Sequence, residues 1–173
     1  MLDTKGPEIR LGKIKNNQQS LFAGDKWLLV KEKIEGDGQR VSVDPPFVLD
    51  RLKEGMRVLF DDGYIGSTVE SATPEGVLVK IHNGGIIKSG KGVNVPNVSL
   101  DLPPFTEKDV EDIRFGCKND IDIIAASFVR SADHVIAIKR LLAEENKSNI
   151  LVVAKIENNE GVQNFDSIVQ VAD

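Results

Sequence analysis

The chain has 173 residues, of which 40% are hydrophobic and 28% are charged, and its formal net charge at pH 7 is −5. These values are typical of a folded globular protein and argue against a broad basic surface for nucleic acid or anionic membranes. Cys117 is the single cysteine, which excludes an internal disulfide, and no run approaches the ~20 apolar residues of a membrane span. We therefore expect a soluble, cytoplasmic protein with neither a nucleic-acid nor a membrane partner.

The first half of the chain has the pattern of a small all-β domain. Short apolar or alternating runs occur at KWLLV (26–30), RVLF (57–60) and VLVKIH (77–82), with turn signals such as DDG (61–63) between them. Regularly spaced short strands of this kind predict a small antiparallel barrel or sandwich. Trp27 is expected in its core rather than at a ligand surface.

From residue 99 onward, apolar runs alternate with amphipathic segments. The capping-box pattern of Thr106 with Asp109 predicts a helix start, and a second helix is expected from about Ser131. Two runs, DIDIIAASFV (120–129) and ILVVAKIE (150–157), have the two-sided hydrophobicity of strands in a parallel sheet. This order of elements is compatible with either a doubly wound sheet or a (β/α) barrel.

The last segment, GVQNFDSIVQVA (161–172), is predicted to form a helix. Its inward face is expected to carry Val162, Phe165, Ile168 and Val169. The chain begins with a strand-like segment and stops where a next strand would be due. Three strands cannot close an eight-stranded barrel, which takes about 250 residues. We therefore expect the chain to be an excised piece of a larger protein.

Polar residues cluster where each of three predicted parallel strands ends. They are Asp3, Thr4 and Lys5 after the first strand, Ser127 and Arg130 after the second, and Lys155 and Glu157 after the third. Functional residues of parallel α/β folds lie at this carboxyl edge. A strand also becomes polar simply because it leaves the core, and the pattern alone leaves these two explanations equally good.

Lys155 and Glu157 are two positions apart, so in a strand their side chains would face the same side. A carboxylate beside an ammonium group suits a divalent cation with an anionic substrate, the combination that phosphoryl transfer requires. A plain salt bridge explains the spacing equally well. Glycines beside cations in TKGPEIR (4–10) and KGVN (91–94) are weaker signals, because turns have the same composition.

Five segments of the chain resemble those of a known family. They are LDTKGPEIRLG, DDGYI, KGVNVPNVSLDLPPFTEKDVEDIRFG, DIIAASFVR and AKIENNEGVQNFDSI. In this order, and from one end of the chain to the other, they resemble pyruvate kinase. The resemblance implies an α/β fold: part of a (β/α)8 TIM barrel with a small all-β barrel inserted as a lid domain. Residues 1–6 and 99–173 would form the partial barrel, and residues 7–98 the lid.

The resemblance also implies an activity, cofactors and residue roles. The activity is transfer of a phosphoryl group from phosphoenolpyruvate to ADP, giving pyruvate and ATP in glycolysis, with Mg²⁺ and K⁺ as cofactors. The parent protein would be a homotetramer. The implied roles are catalysis for Lys155, substrate binding for Lys155, Ser127 and Phe128, Mg²⁺ binding for Glu157, K⁺ binding for Asp3 and Thr4, and nucleotide binding for Arg10 and Lys91.

Several groups that the family uses are not in this chain. A second Mg²⁺ aspartate, in an ARGD-type segment, is expected after Asp173, and further phosphate and K⁺ ligands are expected before residue 1. We therefore predict that the isolated chain has no kinase activity and that its uncovered barrel edges lead to self-association. The alternative interpretation is a β-barrel module that binds a nucleotide or a partner, with the α/β part as its scaffold.

Overall fold

A computed structural model describes residues 1–96 and 103–173 and divides the chain into two compact units. The first, called here the α/β unit, consists of Met1–Glu8 and Asp101–Asp173, and the second, the β-barrel unit, of Ile9–Leu100. The domain boundary predicted between residues 98 and 99 lies outside the described residues. Within those residues, no helix is both long and apolar enough to cross a bilayer.

The strands and helices are numbered in chain order. The strands are β1 (Leu2–Asp3), β2 (Arg10–Leu11), β3 (Gln18–Leu21), β4 (Lys26–Val30), β5 (Arg40–Asp44), β6 (Arg57–Phe60), β7 (Ile65–Thr73), β8 (Gly76–Ile81), β9 (Gly85–Lys88), β10 (Val93–Asn94), β11 (Ile123–Ala126) and β12 (Leu151–Ala154). The helices are α1 (Glu107–Lys118), α2 (Ala132–Glu144), α3 (Asn159–Gln163) and α4 (Phe165–Val169), with 3₁₀ turns at Lys15–Asn17 and Pro46–Arg51.

The β-barrel unit is built on a seven-stranded sheet of order β10-β6-β7-β8-β4-β5-β2. Its neighbours are antiparallel except β4 and β5, which run parallel. The end strands approach each other, because the N–H of Leu11 donates to the carbonyl of Lys91 (2.9 Å) and that of Val93 to the carbonyl of Ile9 (2.8 Å). The sheet is therefore a nearly closed barrel, and the prediction of a small all-β barrel is confirmed at this level.

Alternating side chains fill the interior of this barrel. Along β8, Val77, Val79 and Ile81 are buried on one face, as the period of two requires. Trp27 is completely buried, its ring meets the edge of Phe60 at a centroid distance of 5.5 Å, and its indole N–H donates to a backbone carbonyl. The prediction that Trp27 is a core residue is confirmed.

The α/β unit contains a parallel sheet of order β1-β11-β12. The spatial order of these three strands is the same as their order in the chain. Helix α1 precedes β11 in the chain, and α2 connects β11 to β12. The helices cover one face of the sheet with a core that includes Ile113, Ile124, Val135, Ile138 and Val152. The α/β class predicted from the alternating pattern is confirmed.

Helix α1 begins with the capping box that the sequence predicts. The Thr106 hydroxyl accepts the N–H of Asp109 (3.1 Å), and the Asp109 carboxylate accepts the N–H of Thr106 (2.8 Å). Asp109 is completely buried, and its other oxygen accepts the N–H of Gly6 at 3.1 Å. This carboxylate therefore joins the start of α1 to the chain just after β1.

The prediction for the last helix is wrong in two respects. The segment forms two five-residue helices, α3 and α4, that meet at Asn164, whose side-chain amide donates to the carbonyl of Arg130. Of the predicted inward face only Ile168 is buried, because the side of the segment that faces the core is a different one. Its positions are Gly161, Asn164, Ile168 and Ala172, at helical spacing. The exposed members are Val162, Phe165 and Val169.

The apolar run in β12 is also buried on one face only. Val152 is completely buried, whereas Leu151 and Val153 on the opposite face are 49% and 41% exposed. The prediction of two-sided burial is therefore wrong for this strand. Helix α2 packs on the Val152 face, and the described residues leave the other face largely open.

Candidate functional site

The three parallel strands of the α/β unit end at the same level, and this alignment brings their polar residues together. The N–H of Thr4 donates to the carbonyl of Ala125 (3.0 Å), and that of Lys155 to the carbonyl of Ala126 (2.9 Å). The ladder thus continues one residue beyond β1 and β12. We call the resulting group the strand-end site, which consists of Asp3, Thr4, Ser127, Phe128, Lys155 and Glu157.

The ammonium group of Lys155 lies between two carboxylates. Its Nζ is 2.8 Å from Oδ1 of Asp3 and 3.8 Å from Oε1 of Glu157. The hydrogen bond to Asp3 is the largest cause that raises the pKa of Lys155, and the same bond lowers the pKa of Asp3. Both shifts favour the charged form of the group, so Lys155 and Asp3 form an ion pair near neutral pH.

Glu157 is held by a backbone group of the neighbouring strand end. Its Oε2 accepts the N–H of Phe128 at 2.9 Å. Phe128 has a φ of 54°, in the left-handed region that bulky residues rarely adopt and that is often found at functional sites. The left-handed turn at Phe128 accompanies an N–H that points at the carboxylate, so this residue contributes through its main chain.

Lys155 and Glu157 lie on one side of the chain, as predicted, although the strand does not continue through both residues. Strand β12 ends at Ala154, so strict alternation does not apply to residues 155–157. The two side chains still lie on the same side of the chain, as their 3.8 Å approach requires. The two interpretations of this spacing, a plain salt bridge and a cation-binding site, are both compatible with the observed geometry.

Thr4 and Ser127 supply further oxygen atoms, and each is only 5% exposed. The Ser127 hydroxyl lies 2.5 Å from the carbonyl of Thr4 and 3.2 Å from Oδ1 of Asp3, and its single proton can serve one of them at a time. The Ser127 N–H donates to the Thr4 hydroxyl at 3.2 Å. These bonds fix the end of β1 against the end of β11.

The donor atoms at the strand-end site fit hard cations. Carboxylate, hydroxyl and carbonyl oxygens from Asp3, Thr4, Ser127 and Glu157 are the ligand types that Mg²⁺ and K⁺ prefer. Within residues 1–96 and 103–173, no cluster of three or more His, Cys, Asp or Glu side chains could hold a metal ion alone. A cation here would therefore complete its coordination with substrate, water or further protein groups.

Arg10 and Lys91 belong to the β-barrel unit, where the barrel closes. Arg10 pairs with Gly92 and donates from its guanidinium to the carbonyl of Gly90 (2.7 Å). Lys91 Nζ lies 2.8 Å from Oδ1 of Asp61, which raises the pKa of Lys91, while the charge of Arg10 opposes this rise. The structure thus brings Arg10 and Lys91 near each other, beside the carboxylates of Asp61 and Asp62.

Sequence reasoning missed two supports of these groups. It assigned Asp61 and Asp62 only to a turn, and they do adopt left-handed φ values of 50° and 54°, but Asp61 also pairs with Lys91. It assigned Asp109 only to a helix cap. No local pattern signals the bond from Gly6 to Asp109, because the two residues are 103 positions apart.

The fold and site define a class of protein: an α/β domain with an acidic, lysine-containing site at the ends of parallel strands, carrying a nearly closed β-barrel between β1 and α1. The family model described as pyruvate kinase, barrel domain, matches residues 1–173. The chain therefore belongs to the pyruvate kinase family.

Similarity to individual proteins agrees with the family match. The chain is 45% identical to the pyruvate kinase of Clostridium acetobutylicum over 173 residues, which cover 99% of this chain and 37% of that protein. It is 42% identical to the pyruvate kinase of Geobacillus stearothermophilus (100% of this chain, 30% of that protein) and 41% identical to human pyruvate kinase PKLR (99% and 31%). The chain spans about a third of the length of the curated relatives it matches.

Proposed function

We propose that the chain is a segment of an enzyme that transfers a phosphoryl group from phosphoenolpyruvate to ADP, giving pyruvate and ATP. The position of Lys155 between Asp3 and Glu157, at the ends of three parallel strands, is the observation that carries this proposal. Phosphoryl transfer depends mainly on positioning and on neutralising charge, which a fixed ammonium group and cation-binding carboxylates supply.

We propose the residue roles that the family resemblance implies, and the positions of the side chains support them. Lys155 directs its ammonium group at the transferring phosphoryl group and the enolate oxygen, and Ser127 and Phe128 line the substrate position. Glu157 would hold Mg²⁺, and Asp3 and Thr4 would hold K⁺; these ions neutralise phosphate charge when they are bound. Arg10 and Lys91 bind the nucleotide phosphates. Two features support these roles: the oxygen donors in the α/β unit, and the neighbouring cationic side chains of Arg10 and Lys91 in the β-barrel unit.

The proposed architecture is a (β/α)8 TIM barrel with an inserted lid domain. Residues 1–6 and 99–173 contribute a part of the barrel, and residues 7–98 form the lid. The sequential order β1-β11-β12 supports a barrel over a doubly wound sheet, because neighbouring barrel strands follow one another along the chain. The homotetrameric assembly and the cellular location of the parent stay predictions.

We further propose that the isolated 173-residue chain does not turn over substrate. Glu157 is the one carboxylate assigned to Mg²⁺, and a single carboxylate holds Mg²⁺ poorly without additional ligands. The chain also spans only about a third of its relatives. A coupled assay of the purified chain, with pyruvate as the readout, is expected to give no signal. Sustained formation of pyruvate that disappears in Lys155→Met would contradict this.

A chimera tests the proposed activity directly. These 173 residues replace the matching segment of the Clostridium acetobutylicum pyruvate kinase, and the chimera is expected to form pyruvate. Lys155→Met in the chimera is expected to lower kcat by about 10²- to 10³-fold, because a preorganised charge at the reacting group is lost. Lys147→Met is the matched control, since Lys147 forms an ion pair with Asp120 elsewhere in the α/β unit. A folded but inactive chimera, or equal activity in the two variants, would overturn the proposal.

The alternative function is a β-barrel module that binds a nucleotide or a partner. The neighbouring cations Arg10 and Lys91 favour this binding function, because both lie within the β-barrel unit. Titration of the isolated chain with ADP and Mg²⁺, followed by backbone amide shifts, separates the two functions. Shifts at Lys155 and Glu157 support the enzyme segment, whereas shifts confined to residues 9–96 support the binding module.

A further inference from the structure

The strand-end site contains one ammonium group at the place where the proposed function requires a potassium ion. We propose that Lys155 and a monovalent cation exchange at the Asp3 carboxylate, so that cation binding releases the lysine toward Glu157 and the substrate. This inference rests on the proposed function, because it assigns a binding step to the same residues.

The contact distances carry the inference. Lys155 makes its close contact with Asp3, at 2.8 Å, and only a long one with Glu157, at 3.8 Å. A lysine held on Asp3 is drawn away from Glu157, beside which a phosphoryl group would be transferred. The same carboxylate oxygen of Asp3 lies 3.2 Å from the Ser127 hydroxyl, so its surroundings are already crowded with polar atoms.

The surroundings of Asp3 suit a bare cation as well as an ammonium group. The Thr4 carbonyl, the Thr4 hydroxyl and the Ser127 hydroxyl are held there by hydrogen bonds of 2.5 and 3.2 Å between the two residues, each of which is 5% exposed. A potassium ion carries the same charge as an ammonium group and accepts more oxygen ligands without directional N–H bonds. The Asp3 side chain is 58% exposed, which gives a cation a path from solvent.

Charge explains why the two cations exchange and why the lysine stays nearby. A potassium ion and the Lys155 ammonium group repel each other at one carboxylate oxygen, so simultaneous binding is unfavourable. Glu157 is fixed by the N–H of Phe128 and offers the displaced ammonium group a second carboxylate within a short movement. With the added ion, two carboxylates face two cations, and the excess negative charge of the site is removed.

The test follows the lysine itself in the 173-residue chain. Side-chain ¹³Cε and ¹⁵Nζ signals of lysines are recorded while KCl replaces tetramethylammonium chloride at constant pH and ionic strength. We expect a saturable shift at Lys155, together with amide shifts at Asp3 and Thr4. Lys147 is the internal control, because its ion pair with Asp120 (2.6 Å) involves a carboxylate that is 84% exposed. Its signals are expected not to change.

A variant adds a second arm to the test. In Asp3→Asn, the Lys155 signals are expected to lie near their potassium-saturated position in the unsubstituted chain and to lose their response to KCl. Lys155 signals that are the same in KCl and in tetramethylammonium chloride would overturn the exchange. If Asp3 and Thr4 nevertheless shift, potassium binds there without displacing the lysine. The absence of any response at Asp3 and Thr4 would overturn the exchange in this chain. It would leave the potassium site of the parent protein standing, because further K⁺ ligands are expected before residue 1, and the chimera tests phosphoryl transfer separately.

Discussion

Each of the two units holds a lysine at 2.8 Å from an aspartate, but the two pairs are supported in different ways. In the β-barrel unit, Asp61 and Lys91 are joined where neighbouring strand ends meet, and the Asp61 N–H donates to the carbonyl of Gly92. In the α/β unit, Asp3 and Lys155 come from opposite ends of the chain. Their alignment depends on buried contacts that follow β1 and β11, which makes the α/β site the more sensitive to distant substitutions.

Two spectroscopic signals report on the two units separately. Trp27 is the single tryptophan and is buried in the β-barrel unit. All helices of eight residues or more within the described ranges belong to the α/β unit, so helical circular dichroism reports on that unit. The comparison between the units can therefore be tested by following both signals in the same denaturation experiment.

The largest effect is expected for Asp109→Ala. The substitution leaves the N–H groups of Gly6 and Thr106 without their buried acceptor and removes a helix cap, at a total cost of about 4 kcal/mol in the free energy of unfolding. Urea unfolding followed by helical circular dichroism measures this loss. The Trp27 transition is expected to change much less.

Asp112→Ala is the matched control for Asp109. Asp112 lies on the same helix and forms an exposed ion pair with Lys108, so its removal is expected to have a far smaller effect. Equal losses for the two substitutions would mean that the bond from Asp109 to Gly6 contributes little. Equal shifts of the helical and Trp27 transitions would mean that the units unfold together.

A pH effect of about 3 kcal/mol is expected from His134 in α2. The side chain is 3% exposed, and burial, assisted by the charge of Arg130 and opposed by that of Asp109, lowers its pKa from 6.5 to about 4. Between pH 6.5 and about 4 the unfolded chain binds a proton at this residue and the folded chain does not. Stability of the α/β unit therefore falls as the pH falls through this interval.

His134→Leu is expected to remove most of this pH dependence from the helical transition. The carboxylates with lowered pKa values, including Asp3 and Asp173, contribute stability that is lost at lower pH as they become protonated, so the two effects occupy different pH ranges. An unchanged slope between pH 4 and 6.5 in the variant would show that His134 is not the group responsible.

A smaller effect, about 2 kcal/mol between two variants, is expected when Gly6→Ala is compared with Gly90→Ala. Both glycines have left-handed φ values, 68° and 71°, so the conformational cost of alanine is similar. A Cβ at Gly6 would lie 2.8 Å from the carbonyl oxygen of Ser127, whereas one at Gly90 meets nothing within 4 Å. Each loss of unfolding free energy is measured on the unit that holds the glycine, by helical circular dichroism for Gly6→Ala and by Trp27 for Gly90→Ala. Similar losses would contradict the close approach at the strand-end site.

The smallest effect is expected for Lys91→Met. Loss of one exposed cation should weaken binding of ADP to the chain by about three- to fivefold, with little change in the Trp27 unfolding transition. Lys26→Met is the control, because Lys26 also pairs with a carboxylate, Glu70, in the same unit (2.6 Å). Calorimetric titration that finds the same loss of affinity in both variants would argue against a specific role for Lys91.

Local patterns predicted much of the fold because their causes are local. KWLLV and RVLF coincide with β4 and β6, and the capping box at Thr106 places the start of α1 correctly. The inward face of the last segment could not be predicted from its large apolar residues, because Gly161 and Asn164 occupy inward positions while Val162 and Phe165 are exposed.

At the candidate site, sequence could identify residue types at strand ends but not their mutual contacts. The pairing of Lys155 with Asp3 depends on the register of three strands, and the bond from Gly6 to Asp109 spans more than half of the chain. The left-handed φ of Phe128 belongs to the folded state and has no signature in the residue itself.

The hydrogen bond from Phe128 to Glu157 has a practical consequence for mapping this protein by mutagenesis. The donor is a main-chain N–H, which every residue except proline retains. A conventional alanine scan would therefore report only the loss of the phenyl ring at position 128 and would miss the anchor of the carboxylate. Backbone ester substitution, which replaces this single N–H by oxygen, is the change that makes the contact visible.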